Sequence, residues 1–282
     1  FGSEALSTDE LKEVVAKVKR LSDRHGAKNV LAVFDIDNTL LASQADLGSD
    51  QWFSWQEELL KKNPQHPDLV YSSFPELLNA WGALLVVGEM RMTEGSVKGA
   101  STASYVKAIQ DMGAKVIALT SRGFDYEIPT LRAFEKYGID LKNSAIGPIE
   151  GYPEISRAYQ PDRVGMEFGF TEKEVLRFGL NKPSQYVTYK NGIFFTAGMH
   201  KGAMLRLLLT KTGYEPGAIV FVDDREKHTE RVQEAFAPSD MYVVTFRYSR
   251  EDARVEEFLE SKERQQNSLK KWRRIRALMA QP

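Results

Sequence analysis

An α/β fold with a doubly wound parallel sheet is what this chain of 282 residues predicts. Three observations carry the expectation. Short apolar runs of strand length alternate with amphipathic helical stretches, the pattern of a parallel sheet covered on both faces. Three of those runs end abruptly in polar clusters, Asp35-Ile36-Asp37, Thr120-Ser121-Arg122 and Asp223-Asp224, and open α/β sheets bind ligands beyond the carboxyl ends of their strands. Two long stretches, 42–100 and 150–199, break the alternation without repeats or low-complexity sequence.

Thr8 to Arg24 reads as the first helix, with Ser7 or Thr8 as its cap, Glu10 and Glu13 at its positive end, and Leu11, Val14, Val15, Val18 and Leu21 as its apolar stripe. Val30-Leu31-Ala32-Val33-Phe34 reads as a buried strand. The segment 42–100 is rich in aromatic residues (Trp52, Phe53, Trp55, Tyr71, Phe74 and Trp81), and Pro64 and Pro67 split it into helical pieces. It is too long for a plain connection. Thr102–Met112 reads as a helix closed by Gly113, Lys115–Leu119 as a strand, 126–137 as a helix closed by Gly138, and Ala145–Ile149 as a short strand. Within 150–199, Gln185 to Thr196 carries a hairpin signature with Asn191-Gly192 at the turn, so this stretch reads as a smaller insertion holding a β-hairpin. Lys201–Thr212 is a helix closed by Gly213, Ala218–Val222 a strand, Arg225–Phe236 a helix and Met241–Phe246 the last strand, ahead of a long C-terminal helical region. The expected division is a core of residues 1–41 and 101–282 around a helical segment of 42–100.

Composition narrows the function classes. The 42% hydrophobic and 27% charged content is that of an ordinary globular chain, and a formal charge of −1 argues against wholesale nucleic-acid or membrane-surface binding. With no cysteine there is no disulfide, thiolate metal site or cysteine nucleophile, and either redox compartment remains open. No apolar run reaches the roughly eighteen residues of a membrane span. The chain opens on Phe1-Gly2-Ser3, as a processed or engineered fragment would, which admits a bacterial periplasmic or secreted location without excluding the cytoplasm.

The chemistry concentrates at strand ends. Asp35 and Asp37 are costly to desolvate together, which points to a cation between them. A regular strand would send them to opposite faces, so they converge only if the chain bends into a loop at Asp35. Asn38 and Thr39 suit such a turn; the bland alternative is an Asp/Asn-rich turn after a core strand. Thr120-Ser121-Arg122-Gly123 offers two hydroxyls and a guanidinium whose fork fits phosphate, although polar turns of this kind close many strands. Lys201 opens a helix, where the N-terminus adds to a positive field; most lysines are simply solvated. His200 reads as a structural or pocket-edge residue rather than a base. Asp223-Asp224-Arg225 places two more carboxylates at a strand end.

Taken in order, Asp35-Ile36-Asp37, Thr120, Lys201 and Asp223-Asp224 resemble the four motifs of the haloacid dehalogenase (HAD) superfamily of phosphohydrolases and phosphotransferases, over residues 30–250. The resemblance implies a HAD-like, Rossmann-like sheet with 42–100 as a helical cap. It implies Asp35 as a nucleophile forming an aspartyl-phosphate, Asp37 as general acid/base, Thr120 bonding a phosphoryl oxygen, and Lys201 as counter-charge. It also implies Mg²⁺ held by Asp35, the Asp37 carbonyl and one acid of the pair, with Asp224 favoured and Asp223 supporting. Arg225, Lys227 and His228 depart from the family's commoner downstream acid or Asn, which leaves the outer metal shell open.

The expected function is therefore an Mg²⁺-dependent phosphatase acting on a small-molecule phosphate ester. Ser121 and Arg122 are expected to hold the phosphate. Trp52, Phe53 and Trp55, the cap aromatics nearest Asp35, are expected to face the leaving group, against the alternative that aromatics at helical spacing form core. The rivals are a phosphotransferase with the same intermediate, a nucleic-acid-end phosphatase, and a HAD-like binding module without turnover. The basic run Lys270-Lys271-Trp272-Arg273-Arg274-Ile275-Arg276 hints at the nucleic-acid rival or at an anionic membrane. A solvated helix end is the simpler reading, because cations suit a helix C-terminus.

Overall fold

The computed structural model describes residues 2–95 and 99–280; Phe1, on which the reading of a processed start rests, and residues 96–98 of the expected cap lie outside the described residues. Glu4–Thr8 forms an edge strand, β1, and the first helix, α1, spans Leu11–His25. The expected cap residues Ser7 and Thr8 are thus strand residues, drawn into a parallel ladder with the last strand of the chain. The Thr8 hydroxyl accepts the Glu10 N–H at 3.0 Å, bridging strand and helix.

β2 (Val30–Phe34) is buried throughout. β3 (Leu41–Ser43) and β4 (Met90–Met92) pair antiparallel and enclose α2 (Asp50–Lys62) and α3 (Phe74–Val87). The chain continues through α4 (Thr102–Asp111), β5 (Lys115–Thr120), α5 (Glu127–Tyr137), β6 (Tyr152–Arg157), α6 (Val164–Phe168) and α7 (Glu172–Arg177). Next come β7 (Tyr186–Lys190), β8 (Ile193–Phe195), α8 (Lys201–Thr212), β9 (Ala218–Asp223), α9 (Glu226–Phe236) and β10 (Tyr242–Tyr248). Two helices close the chain, α10 (Asp252–Glu260) and α11 (Lys262–Met279).

The main sheet has the order β1-β10-β9-β2-β5-β8-β7-β6. From β1 to β8 every neighbour pair is parallel, and β8-β7-β6 is antiparallel. The pleat divides the central strands between two cores. Val30, Ala32, Phe34, Val220 and Val222 face α1 and α4, whereas Leu31, Val33, Ile219 and Phe221 face α8 and α9. Consecutive connections leave β2 toward β5 on one side and return to β9 on the other, so the topological switch lies beside β2.

Two sequence expectations are corrected here. Ala145–Ile149 forms no strand: Ile146 alone is buried, Gly147 to Ile149 are exposed without a ladder partner, and the strand lies at β6. The hairpin is present as β7–β8, with Asn191 and Gly192 at φ of 51° and 75° as a two-residue turn requires. However, β8 pairs with β5, so the 150–199 stretch extends the central sheet rather than standing off from it.

The 42–100 stretch is helical over α2 and α3 only. Thr93 and Glu94 are fastened to the sheet, Thr93 Oγ1 donating to the Thr39 carbonyl at 2.7 Å and Glu94 Oε2 accepting the Leu11 N–H at 2.8 Å and the Tyr248 hydroxyl at 3.0 Å. A third apolar cluster joins Trp52, Leu77, Trp81 and Leu84 to Phe258 of α10 and Trp272 of α11. Trp272 stacks edge-on against Tyr71, with ring centroids 6.1 Å apart, so the basic tail carries a core residue among solvated cations. Among the described residues no helix is long and apolar enough to cross a membrane.

Candidate active site

The chain leaves the sheet at Asp35, whose N–H still donates to the Val222 carbonyl at 2.9 Å. A tight turn follows. The Ile36 carbonyl accepts the N–H groups of Thr39, Leu40 and Leu41, and the Asn38 N–H donates to the Leu41 carbonyl at 2.7 Å. Asn38 sits at φ 58°, a left-handed conformation that Asn accepts at lower cost than a branched residue. This bend escapes the pleat, and Asp35 and Asp37 border one cavity of about 630 Å³. The Thr39 hydroxyl ties the turn to the next strand end, accepting the Asp224 N–H at 3.0 Å and approaching Asp35 Oδ2 at 3.4 Å.

Lys201 is delivered by the start of α8, where His200 Nδ1 caps the helix by accepting the Ala203 N–H at 3.1 Å. The next residue is Gly202, where a Cβ would lie 2.2 Å from the Arg231 carbonyl oxygen. Only glycine lets α8 and α9 approach this closely. Lys201 Nζ donates to Asp35 Oδ1 and to Asp223 Oδ2, each at 2.6 Å, and all three side chains are buried.

Carboxylate oxygens of Asp35, Asp223 and Asp224 lie within 4.8 Å of one another, and the one ammonium among them bonds two of the three. Burial lifts the Asp35 carboxyl to about 7; Lys201 opposes the rise, and Asp223 and Asp37 add to it. Burial, followed by Asp223, Asp35 and Asp50, holds Asp224 well above the usual carboxylate range. Burial works against the Lys201 ammonium, yet Asp223 and Asp35 raise it above the ordinary lysine value. An all-oxygen donor set with surplus negative charge fits a hard divalent cation such as Mg²⁺. Asp35 and Asp224 are the acids that could hold such an ion, because the Asp223 oxygens are engaged by Lys201 and by the Arg225 N–H at 2.9 Å. The Asp37 carbonyl accepts none of the turn's hydrogen bonds.

A family model described as a protein of unknown function (DUF2608) matches residues 7–281. The chain belongs to the DUF2608 family. No curated protein and no solved structure matches it.

The structure brings Asp35, Asp37, Lys201, Asp223 and Asp224 together, as the sequence led one to expect, and places Ser121 exposed on the cavity wall. Three expectations need correction. Thr120 is fully buried, its hydroxyl accepts the Arg122 N–H at 3.1 Å, and it does not border the cavity. Arg122 is not free for phosphate. Its Nε and Nη2 fork onto both Asp37 oxygens at 2.9 and 2.8 Å, its Nη1 donates to Thr130 at 2.8 Å, and it is 1% exposed. Trp52 and Trp55 do not border the cavity either: Trp52 is buried in the third apolar cluster, and Trp55 packs edge-on against Phe258 at 5.7 Å.

Phe53 does border it, in a row with Trp81 at 4.8 Å and, beyond that ring, Tyr126 at 5.3 Å. Sequence reading missed the bridge from Arg225 to Asp50 and Ser54, which ties α2 to the end of β9, because a partner so far along the chain leaves no local signal. It also missed Ala197, which borders the cavity at φ 50°, a strained position for a residue with a Cβ.

Proposed function

We propose that the chain is an Mg²⁺-dependent phosphatase of HAD type that hydrolyses a small phosphate ester through an aspartyl-phosphate. The observation that carries this reading is the convergence of Asp35, Asp223 and Asp224 on one another, with Lys201 bridging the first two and Asp37 held at the same cavity by the Arg122 fork. Two buried acids and a half-buried third beside one lysine are a poor way to stabilise a fold and a good way to hold a cation beside a nucleophile.

In the proposed reaction an Asp35 oxygen attacks phosphorus as the ester P–O bond breaks, and Asp37 gives its proton to the leaving oxygen. Water then attacks the aspartyl-phosphate, its proton returns to Asp37, and the bond from phosphorus to Asp35 breaks to release phosphate. Lys201 offsets the charge gathered on the phosphoryl oxygens, and the Ser121 hydroxyl faces the same space. Mg²⁺, held by Asp35, Asp224 and the Asp37 carbonyl, would supply further charge neutralisation, the dominant contribution to phosphoryl transfer. Arg122 fixes the orientation of Asp37 rather than binding phosphate. α2 and α3 serve as the cap, and their row of Phe53 and Trp81 supports an ester with an apolar portion in its leaving group.

The deciding experiment is a panel of phosphate esters assayed with Mg²⁺, with the Asp35→Asn protein as blank. Release of phosphate by the wild-type chain alone is the expected result. Equal release by both proteins, or none from any ester with metal bound, would overturn the reading.

A further inference from the structure

α9 carries cations that the phosphoryl chemistry does not use. Lys227 and Arg231 stand one helical turn apart, and both border the cavity that holds Asp35. Among the described residues neither forms an ion pair or a side-chain hydrogen bond. Their cationic neighbours are committed elsewhere: Arg225 to Asp50 and Ser54, and Arg177 to Glu234 at 2.7 Å. Glu57, the acid on the facing helix α2, pairs with Lys61 at 3.0 Å. Like charges at this spacing repel; burial, then Arg225 and Arg231, lowers the Lys227 ammonium, and Glu57 and Asp50 oppose this only in part.

His228, next to Lys227 on the same helix, is 6% exposed and borders the same cavity, and its buried Nδ1 has no partner among the described residues. Burial, then Lys201, Lys227, Arg225 and Arg231, hold its imidazole well below the ordinary histidine range, so it is neutral and presents one N–H donor. A buried polar group without a partner is costly to keep. A neutral donor flanked by two unpaired cations on a cavity wall is complementary to an anionic oxygen group. Lys227 and Arg231 also border a second cavity of about 1160 Å³, walled by Phe178, Lys182 and Gln185 of the 150–199 stretch. The cationic face therefore stands where one cavity meets the other.

We propose that the Lys227–His228–Arg231 face of α9 is a second anion subsite, and that the substrate is a phosphate ester whose leaving group carries a further anionic group, a phosphate or a carboxylate. The first phosphate in this substrate rests on the phosphatase reading; the second anion does not.

The test uses the full chain with Mg²⁺ and ligands whose C–P bonds are not hydrolysed. Calorimetry compares α,ω-alkanediyl bisphosphonates of increasing length with alkylphosphonates of the same length, and a second arm uses ω-carboxyalkylphosphonates. At the length that spans the two sites, the second anion is expected to tighten binding by about tenfold or more, an advantage that shrinks as salt is raised. In the Lys227→Gln/Arg231→Gln protein the ratio of the two affinities should fall toward one, with circular dichroism and melting temperature reporting an intact fold. In Arg231→Glu the bisphosphonate should bind no better than the monophosphonate. A gain from bisphosphonates alone assigns the subsite to phosphate; an equal gain from carboxylates assigns it to anions generally. No gain at any length, or a gain that survives both variants, overturns the proposal. Turnover of simple monoesters without any such gain would remove the subsite alone. A gain without turnover of any ester would remove the phosphatase reading and leave the subsite standing.

Discussion

Replacing Asp35 by Asn should change how the metal-free protein responds to pH. In the fold the Asp35 carboxyl is held at about 7 against an ordinary 3.8, chiefly by burial, with Asp223 and Asp37 adding to what Lys201 cannot cancel. Between those two values the native state keeps a proton that the unfolded chain has already lost, so stability falls as pH rises through the window. A difference of roughly three units at 1.36 kcal/mol each is about 4 kcal/mol, a large fraction of a typical 5–15 kcal/mol folding free energy. Asp224, raised for the same reason, acts with the same sign. Urea unfolding in chelator from about pH 4 to pH 8 should therefore show the wild-type midpoint declining, while Asp35→Asn declines less because its amide cannot ionise. Subtracting one profile from the other removes the titration of carboxylates far from the site and leaves that of Asp35 together with its effect on Asp224. Mg²⁺ should rescue the wild type more at high pH than at low, since its ligands must be deprotonated, and binding at a hundredfold excess over Kd contributes about 2.7 kcal/mol. Parallel profiles for the two proteins, or a wild type that gains on the variant as pH rises, would refute the idea that the clustered acids outweigh their one bonded counter-charge, Lys201.

Asp35→Asn should also abolish phosphatase turnover; a residual tenth of wild-type rate, about 1.4 kcal/mol of barrier, would exclude Asp35 as nucleophile. Chelation should remove activity and Mg²⁺ restore it, and isothermal titration should find Asp224→Ala weaker for metal than Asp223→Ala, because Asp223 is already engaged by Lys201 and the Arg225 N–H. Arg122→Lys keeps the charge but loses the fork, so kcat for alkyl esters should drop by about 10²-fold, the lower end of what acid–base assistance supplies, with aryl esters less affected and KM little changed. Trp52→Ala should cost about 3–5 kcal/mol of stability with substrate ranking intact, whereas Phe53→Ala should shift KM and ranking with the fold preserved; the reverse pattern in melting and kinetic data would mean that the cavity wall is misassigned.

How far the sequence could be read follows from where the forces were local. Val30–Phe34, Val116–Leu119 and Ile219–Val222 announce themselves because a strand buried on both faces must be apolar at every position, and the acids that end two of them break that rule so sharply that the site was visible before any fold was known. β1 gave no such signal, because as an edge strand it is half-exposed and its pairing is supplied by β10, more than two hundred residues away. Trp52 and Phe53 are adjacent on one helix, so their side chains diverge by about 100° around its axis, and nothing local tells which of them meets the cavity. That choice is made by α10 and α11, which pack Phe258 and Trp272 into the same cluster as Trp52 and leave Phe53 to border the cavity. Arg122 shows the same limit at the level of chemistry. A guanidinium after a strand end was legible as a group built to fork onto an oxyanion, but the oxyanion it took was the chain's own Asp37, eighty-five residues earlier. Residue type thus disclosed the interaction, whereas the partner was set by a turn, with Asn38 at positive φ, that swings Asp37 out of the strand. The same reasoning bears on Lys227 and Arg231, two oxyanion-binding groups with which no carboxylate of the described residues forms an ion pair.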